Sequence, residues 1–162
     1  MRDYDYANEG AYFVTICCKD RVNYFGEIVN EKMILNEYGN IAHNEWGKLQ
    51  ERYLENKFDV FQIMPDHIHG IINIRATDTN TTIGRIVGAY KSLVFARCLE
   101  ISNENKCVLG KLWQRNYWEH VIRNETEYTK IAEYIHDNPV LWGKKRLGEI
   151  LPLALTRKRN PI

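Results

Sequence analysis

Residues 59–74, with the sequence DVFQIMPDHIHGIINI, decide how this chain folds. Two runs rich in β-branched, aromatic and other apolar residues, 59–64 and 67–74, stand on either side of Pro65-Asp66. Runs of this composition are typical of strands. Because proline fixes φ and lacks a backbone donor, Pro65 ends the first run. The stretch therefore predicts two successive strands joined by a tight link.

The flanking sequence alternates between strand patterns and helix patterns. β-Branched and aromatic runs predict strands, and apolar residues at near-helical spacing predict helices. Toward the N-terminus these patterns predict a buried strand over 12–18, a hairpin formed by 25–29 and 32–35, and a helix over 36–53. Toward the C-terminus they predict a helix over 83–98, an aromatic strand over 113–122, and a helix from an Asn124 cap to Asn138, before Pro139.

The order of these elements (β, hairpin, α, β, β, α, β, α) is typical of an α+β fold. Two β–α–β units of this kind form the ferredoxin-like arrangement, an antiparallel sheet with helices mainly on one face. The N-terminal hairpin is an insertion into this arrangement. We predict one domain over 1–142 and a basic C-terminal tail over 143–162, which contains Lys144-Lys145-Arg146 and Arg157-Lys158-Arg159.

Composition narrows the class of protein. The chain has 162 residues, 44% of them hydrophobic, which suits one globular domain and excludes general disorder. Its longest apolar runs are far shorter than the ~20 residues that span a bilayer, and its first residues lack the pattern of an export signal. Its four cysteines form no CxxC pair. We therefore expect a cytoplasmic protein with reduced thiols and no membrane partner.

Positive charge is concentrated in the second part of the chain. Residues 1–60 contain 7 Lys and Arg against 11 Asp and Glu, whereas residues 61–162 contain 15 against 10. A basic half fits contact with phosphate groups and equally fits a solvated surface, so the charge pattern leaves both open.

Two histidines on one predicted strand form the first candidate site. Side chains at i and i+2 on a strand project from the same face, so His67 and His69 point together while Ile68 and Ile72 face the core. Two imidazoles on one face can bind a divalent metal and leave positions open for a substrate. They can also be two exposed polar residues, and an HxH triplet alone does not decide between these alternatives.

A tyrosine and an amide on the last predicted helix form the second candidate site. Tyr134 lies beside the apolar stripe of that helix, and Asn138 follows at i+4, so the two side chains share a face. Tyrosine is a usable covalent nucleophile when its oxygen is activated. The alternative is packing, because the chain has 10 tyrosines and Asn138 before Pro139 also suits a helix end.

Four motifs, in order along the chain, together resemble a known family. They are GAYFVTIC at 10–17, MPDHIHG at 64–70, WQRNYWEHVIR at 113–123 and YIHDNPV at 134–140. The combination resembles the REP-associated tyrosine transposases, which are relatives of the single-strand insertion-sequence transposases in the HUH-endonuclease superfamily. The resemblance extends over residues 6–142, and several ordered motifs are more specific than any one of them.

The resemblance implies a role for each candidate residue. His67 and His69 match the HUH motif, whose histidines bind a divalent cation, and Tyr134 matches the nucleophile of the late helix. Asn138 matches the third metal ligand, with a shorter side chain than the Gln of the insertion-sequence relatives. The fold would be an RRM-like sheet, and Mg²⁺ or Mn²⁺ would suit the ligand set. Asp66 could orient one imidazole as an outer acceptor.

The implied activity is metal-dependent cleavage and rejoining of single-stranded DNA through a 5′-phosphotyrosine intermediate. Hairpin-bearing or repeat DNA would be the partner, Lys91, Arg115 and Arg123 would contact its backbone, and the protein would work in the cytoplasm at the nucleoid. The oligomeric state stays open, with a homodimer as one option. Two alternatives also stay open: a non-catalytic RRM-like module that binds a nucleic-acid hairpin through Tyr117 and Trp118, and a small metal-dependent hydrolase without a covalent intermediate.

Overall fold

The chain alternates strands and helices in the predicted order. The computed structural model of the protein describes residues 9–78 and 80–145, and the backbone of 159–161. The strands are β1 (Gly10–Cys17), β2 (Gly26–Val29), β3 (Lys32–Leu35), β4 (Lys57–Ile63), β5 (His67–Ile74), β6 (Asn116–Ile122) and β7 (Arg159–Pro161). The helices are α1 (Glu37–Arg52), α2 (Ile83–Glu104), α3 (Glu125–His136) and α4 (Asn138–Lys145). Within the described ranges no helix has both the length and the apolar character needed to cross a membrane.

The main sheet has the topology of the predicted ferredoxin-like fold. Its strand order is β4-β5-β1-β6-β7, and every neighbouring pair is antiparallel. In each β–α–β unit the two strands are therefore parallel and separated by a third strand, which is the split βαβ arrangement. The α+β prediction is confirmed.

Strand alternation divides the interior into two faces. On β1, Tyr12, Val14 and Ile16 belong to the larger core, which α1 and α2 cover. We call this side of the sheet the first face. Phe13 points to the opposite side, the second face, where it joins a smaller cluster that includes Ile135 of α3. The two long helices thus cover the first face, and the shorter α3 packs on the second.

The inserted hairpin is formed as predicted, by β2 and β3 in a separate two-stranded sheet. Its turn residues Asn30 and Glu31 have φ values of 50° and 62°. Positive φ at both central residues is typical of the type I′ turn, whose twist matches that of the strands it joins.

Several boundaries differ from the sequence prediction, most of them by one or two residues. Helix α2 continues to Glu104, and β6 starts at Asn116 because Trp113 instead forms an isolated bridge with Cys18. Helix α3 ends at His136, but a further helix, α4, begins at Asn138. Pro139 is compatible with this start because a proline in the first turn of a helix sacrifices no hydrogen bond.

The predicted tail over 143–162 lies largely outside the described residues. Its first three residues complete α4, and the backbone of 159–161 pairs with β6 at the edge of the sheet. The division at residue 142 stays a prediction.

Candidate active site

His67 and His69, which we call the histidine pair, lie buried at the start of β5 on the second face. Each residue is only 2% exposed, so the alternative of two exposed polar residues is wrong. Their Nε2 atoms face each other at 3.1 Å. Neighbouring ligands of an octahedral ion with bonds of about 2.1 Å lie about 3 Å apart. The spacing of the pair therefore suits two ligands of one small divalent cation.

Each imidazole is held through its other ring nitrogen. His67 Nδ1 lies 2.6 Å from Asp66 Oδ1, and His69 Nδ1 lies 2.8 Å from Thr15 Oγ1. Burial opposes the charge of Asp66, but the hydrogen bond and charge of His67 and the contact with Arg21 hold the pKa of this carboxyl below its ordinary value. An ionised carboxylate only accepts, so in the neutral imidazole of His67 the proton is on Nδ1 and Nε2 is the acceptor atom that faces His69.

Tyr134 reaches the histidine pair from α3. Its ring centroid lies 5.5 Å from that of His69 and 6.4 Å from that of Phe13, in edge-on contacts. Burial raises the pKa of the Tyr134 phenol, while the neighbouring Asn138 side chain and the charge of Arg21 lower it, and burial prevails. The phenol is therefore protonated at neutral pH.

Asn138 supplies a buried oxygen next to this tyrosine. The residue is 0% exposed, and its Nδ2 lies 3.5 Å from the backbone carbonyl of Tyr134. Its Oδ1 is buried and has no hydrogen-bond partner among the described residues. A buried amide oxygen without a partner is unfavourable unless something else binds it, and a hard cation is a suitable group.

The chemical types of these donors suit a divalent cation. Among the described residues no group of three His, Cys, Asp or Glu side chains is arranged to bind a metal, so a cation at the histidine pair needs a ligand of another type. The buried Asn138 oxygen belongs to a type that hard cations accept as a ligand. Two imidazoles with an amide oxygen would leave positions for water and for phosphate oxygens, a set that suits Mg²⁺ or Mn²⁺.

Aromatic side chains enclose the pair. Phe13 stacks on the ring of His69 with centroids 5.3 Å apart, and Trp142 of α4 stacks on His67 at 6.1 Å. Trp142 also lines a groove of about 560 Å³ between α4 and the β2–β3 hairpin. Each ring of the pair thus stacks against one aromatic side chain, and Trp142 lies between His67 and an open groove.

Sequence reasoning missed four residues of this surrounding: Phe13, Thr15, Arg21 and Trp142. The alternation along β1 could have assigned Phe13 and Thr15 to one face, but only the register, which pairs Thr15 with His69, brings the hydroxyl to the imidazole. No sequence signal indicated Arg21, and Trp142 depends on a helix that the sequence did not predict.

The three expected DNA-contacting cations lie in different surroundings. Arg115 and Arg123 are exposed at the two ends of β6, as contact with a DNA backbone requires. Lys91 is only 9% exposed, lies on α2 at the first face, and donates from Nζ to the carbonyl of Gln114 at 2.6 Å. Burial lowers the pKa of Lys91 to about 8. This placement argues against the DNA contact expected for Lys91.

The two aromatic residues expected to stack on bases also differ. Tyr117 is 4% exposed in the core of the first face, and its hydroxyl donates to Glu119 at 3.0 Å. Tyr117 is therefore a packing residue and is not available for stacking. Trp118, the next residue on β6, points to the second face, the side that holds the histidine pair, and it is partly exposed.

Comparison with known proteins gives consistent matches over most of the chain. The family model for IS200-like transposases matches residues 7–138. A Haemophilus influenzae protein of uncharacterised function is 39% identical, with 91% of this chain and 89% of that protein covered. A second Haemophilus influenzae protein, assigned by name to the REP-associated tyrosine transposases, is 32% identical, with 86% and 75% covered. A solved structure of a REP-associated tyrosine transposase bound to a REP hairpin has a TM-score of 0.63 at 22% identity, with 88% and 73% covered.

Proposed function

Because the chain belongs to the IS200-like transposases, and among them to the REP-associated tyrosine transposases, we propose that it is a metal-dependent endonuclease and strand-transferase of single-stranded DNA. The observation that carries the proposal is the juxtaposition on the second face, where the Tyr134 ring lies 5.5 Å from that of His69. A nucleophile and a pair of metal ligands in contact are the parts that phosphoryl transfer by a covalent route needs.

The ligands of the cation would be His67, His69 and Asn138. When bound, Mg²⁺ or Mn²⁺ supplies Lewis-acid polarisation of the scissile phosphate. The chain contributes a dry, rigid surrounding: Asp66 and Thr15 orient the imidazoles, and the buried amide oxygen of Asn138 gains a partner.

Tyr134 would carry out the covalent step. Its Oη attacks phosphorus and loses its proton, the bond from phosphorus to the 3′-oxygen breaks, and that oxygen takes up a proton. The products are a 5′-phosphotyrosine and a free 3′-hydroxyl. Because the phosphodiester is exchanged and not hydrolysed, attack by a second 3′-hydroxyl reverses the step and joins two strands.

Single-stranded DNA with a hairpin is the proposed partner. The net charge of the chain is only +1, whereas a non-specific duplex binder depends on many cationic contacts with phosphates. A relative of similar fold is known bound to a REP hairpin. The exposed Arg115 and Arg123 would contact the backbone, and the work would take place at the nucleoid. All proposed site residues come from one chain, so a homodimer is not required to complete the site.

The test is incubation of the full chain with hairpin-bearing single-stranded DNA and Mn²⁺, followed by a denaturing gel. We expect a protein–DNA adduct that EDTA abolishes and that a duplex of the same sequence does not form. Tight binding without cleavage would instead support the non-catalytic module. Cleavage without an adduct would support a hydrolase. Either result would overturn the proposal.

A further inference from the structure

Arg21 stands in an unusual backbone conformation at the end of β1. The chain leaves β1 through a 3₁₀ turn, Lys19–Arg21, in which Asp20 and Arg21 have φ values of 54° and 56°. Two successive left-handed residues with a Cβ are unfavourable and persist only when their surroundings impose them. Here the backbone N–H of Lys19 donates to Leu112 at 2.9 Å, and that of Arg21 donates to Cys18 at 3.2 Å. The turn is therefore fixed from both sides.

The guanidinium of Arg21 is directed at the groups beside the histidine pair. Its Nε donates to Asp66 Oδ2 at 2.9 Å, its Nη2 donates to Asp66 Oδ1 at 3.4 Å, and its Nη1 donates to the Cys17 sulfur at 3.0 Å. The Arg21 side chain is 50% exposed and that of Asp66 only 8%. A cation at the rim of the site thus anchors a carboxylate inside it.

The contacts with Arg21 determine how the Asp66 carboxylate interacts with the imidazole of His67. Both Asp66 oxygens accept from Arg21, and Oδ1 also meets His67 Nδ1 at 2.6 Å. The fork contact fixes the plane of the carboxylate, because both guanidinium donors must be met together. A fixed, ionised Asp66 favours the proton on Nδ1 and so leaves Nε2 of His67 facing His69.

We propose that Arg21 is a positioning residue, which fixes the tautomer and ring orientation of His67 through Asp66. As far as metal binding is concerned, the inference rests on the proposed function, in which His67 is a ligand. The Nδ1 atom of His69 instead meets the hydroxyl of Thr15, at 2.8 Å. The two ligands would therefore respond differently to the loss of Arg21.

The test compares Arg21→Gln with Arg97→Gln. Arg97 is a matched control: its side chain is 53% exposed, and it lies 3.8 Å from Glu45, a carboxylate whose side chain is only 5% exposed, on the first face. The unfolding midpoint of both variants shows that they fold. The ¹⁵N shifts of the His67 ring in the metal-free protein report the tautomer, and calorimetric titration with Mn²⁺ reports the affinity.

For Arg21→Gln we expect a mixed His67 tautomer and a loss of about tenfold in Mn²⁺ affinity, the lower end of the range for outer partners of metal ligands. Arg97→Gln should leave the His67 tautomer and the Mn²⁺ affinity unchanged. Asp66→Asn should weaken Mn²⁺ binding at least as much, and the double variant of Arg21 and Asp66 should be no weaker than Asp66→Asn alone, because both act through one contact.

Three results would overturn the inference: an unchanged tautomer in Arg21→Gln, additive losses in the double variant, or a loss of hairpin-DNA affinity in EDTA with Mn²⁺ affinity intact. The last result would make Arg21 a direct DNA contact. If the wild type binds no Mn²⁺ but the His67 tautomer depends on Arg21, the metal assignment of the proposed function fails and the positioning role stands.

Discussion

Removal of the Tyr134 hydroxyl should abolish the chemistry and leave the fold nearly unchanged. In Tyr134→Phe the ring keeps its contacts with His69 at 5.5 Å and with Phe13 at 6.4 Å. Only the buried hydroxyl is lost, and the contact of Asn138 Nδ2 with the backbone carbonyl of residue 134 is retained. Cleavage and the covalent adduct should both disappear, because no oxygen remains to accept the phosphoryl group.

The expected cost in stability follows from these contacts. Even a complete hydrogen bond of the hydroxyl would contribute only about 0.5–1.5 kcal/mol net, so the free energy of unfolding should fall by less than about 1.5 kcal/mol. Deletion of a whole buried ring costs about 3–5 kcal/mol, and none of that cost applies when the ring stays.

Tyr128 provides a control on the same helix. Its hydroxyl donates to the Asp59 carboxylate, and burial together with Asp59 raises the pKa of Tyr128 to about 12. Tyr128→Phe removes a hydrogen bond to a charged group, worth about 1.5–3 kcal/mol. This variant should therefore lose more stability than Tyr134→Phe and still form the adduct. We therefore expect the larger loss of stability in Tyr128→Phe and the loss of adduct formation only in Tyr134→Phe.

Urea denaturation measures the stabilities, and a denaturing gel with a 3′-labelled hairpin substrate measures the adduct. The 3′ label is the informative one, because the 5′-phosphotyrosine stays joined to the 3′ fragment. If Tyr134→Phe still forms the adduct and Tyr128→Phe does not, the nucleophile is misassigned although the family is unchanged.

Three further predictions concern the metal, the core and a buried lysine. Replacing either histidine of the pair by alanine should abolish Mn²⁺ binding in calorimetry without unfolding the protein, and equal binding by wild type and both variants would refute the ligand assignment. Gly70→Ala should lower the free energy of unfolding in urea by about 1–3 kcal/mol, because the new Cβ would lie 2.3 Å from Trp46. Gly47→Ala, in open space on α1, is the control and should be neutral or stabilising. Equal effects of the two substitutions would contradict this prediction. Lys91 has a folded pKa of about 8 against an ordinary 10.5, so between these values the unfolded chain binds more protons and stability rises with pH. From pH 7 to 10.5 the wild type should gain about 1–3 kcal/mol relative to Lys91→Met in urea denaturation, and parallel curves would show that Lys91 titrates normally.

Local patterns predicted the parts of the site that depend on one element. The i, i+2 spacing of the histidine pair on β5 and the i, i+4 spacing of Tyr134 and Asn138 are properties of a strand and of a helical segment. The structure brings Tyr134 into contact with His69. Their chemical roles stay predictions. The strand order could also be predicted from the sequence, because few topologies accommodate two β–α–β units in one antiparallel sheet.

The outer partners of the histidine pair could not be predicted, because they depend on long-range geometry. Thr15 meets His69 across 54 residues of sequence, and Arg21 meets Asp66 across 45. Neither contact produces a periodic pattern in the sequence. The prediction for Lys91 failed for a different reason. Its charge suggested a position at the surface, but it lies one turn after Val87 of the buried stripe on α2. Its long aliphatic stem follows that stripe inward.

The alternation of the strands explains why the chemistry and most of the stability can be perturbed separately. Gly70 follows His69 directly on β5, yet its hydrogen points to Trp46 on the first face while the imidazole points to Tyr134 on the second. One residue along the strand therefore separates a substitution that disturbs the main core from one that disturbs only the site. The larger core, represented by Val14 and its neighbours under α1 and α2, contains no residue of the histidine pair and should remain intact when the second face is altered. For this reason a functional loss in Tyr134→Phe is expected to have a chemical cause and not a folding one.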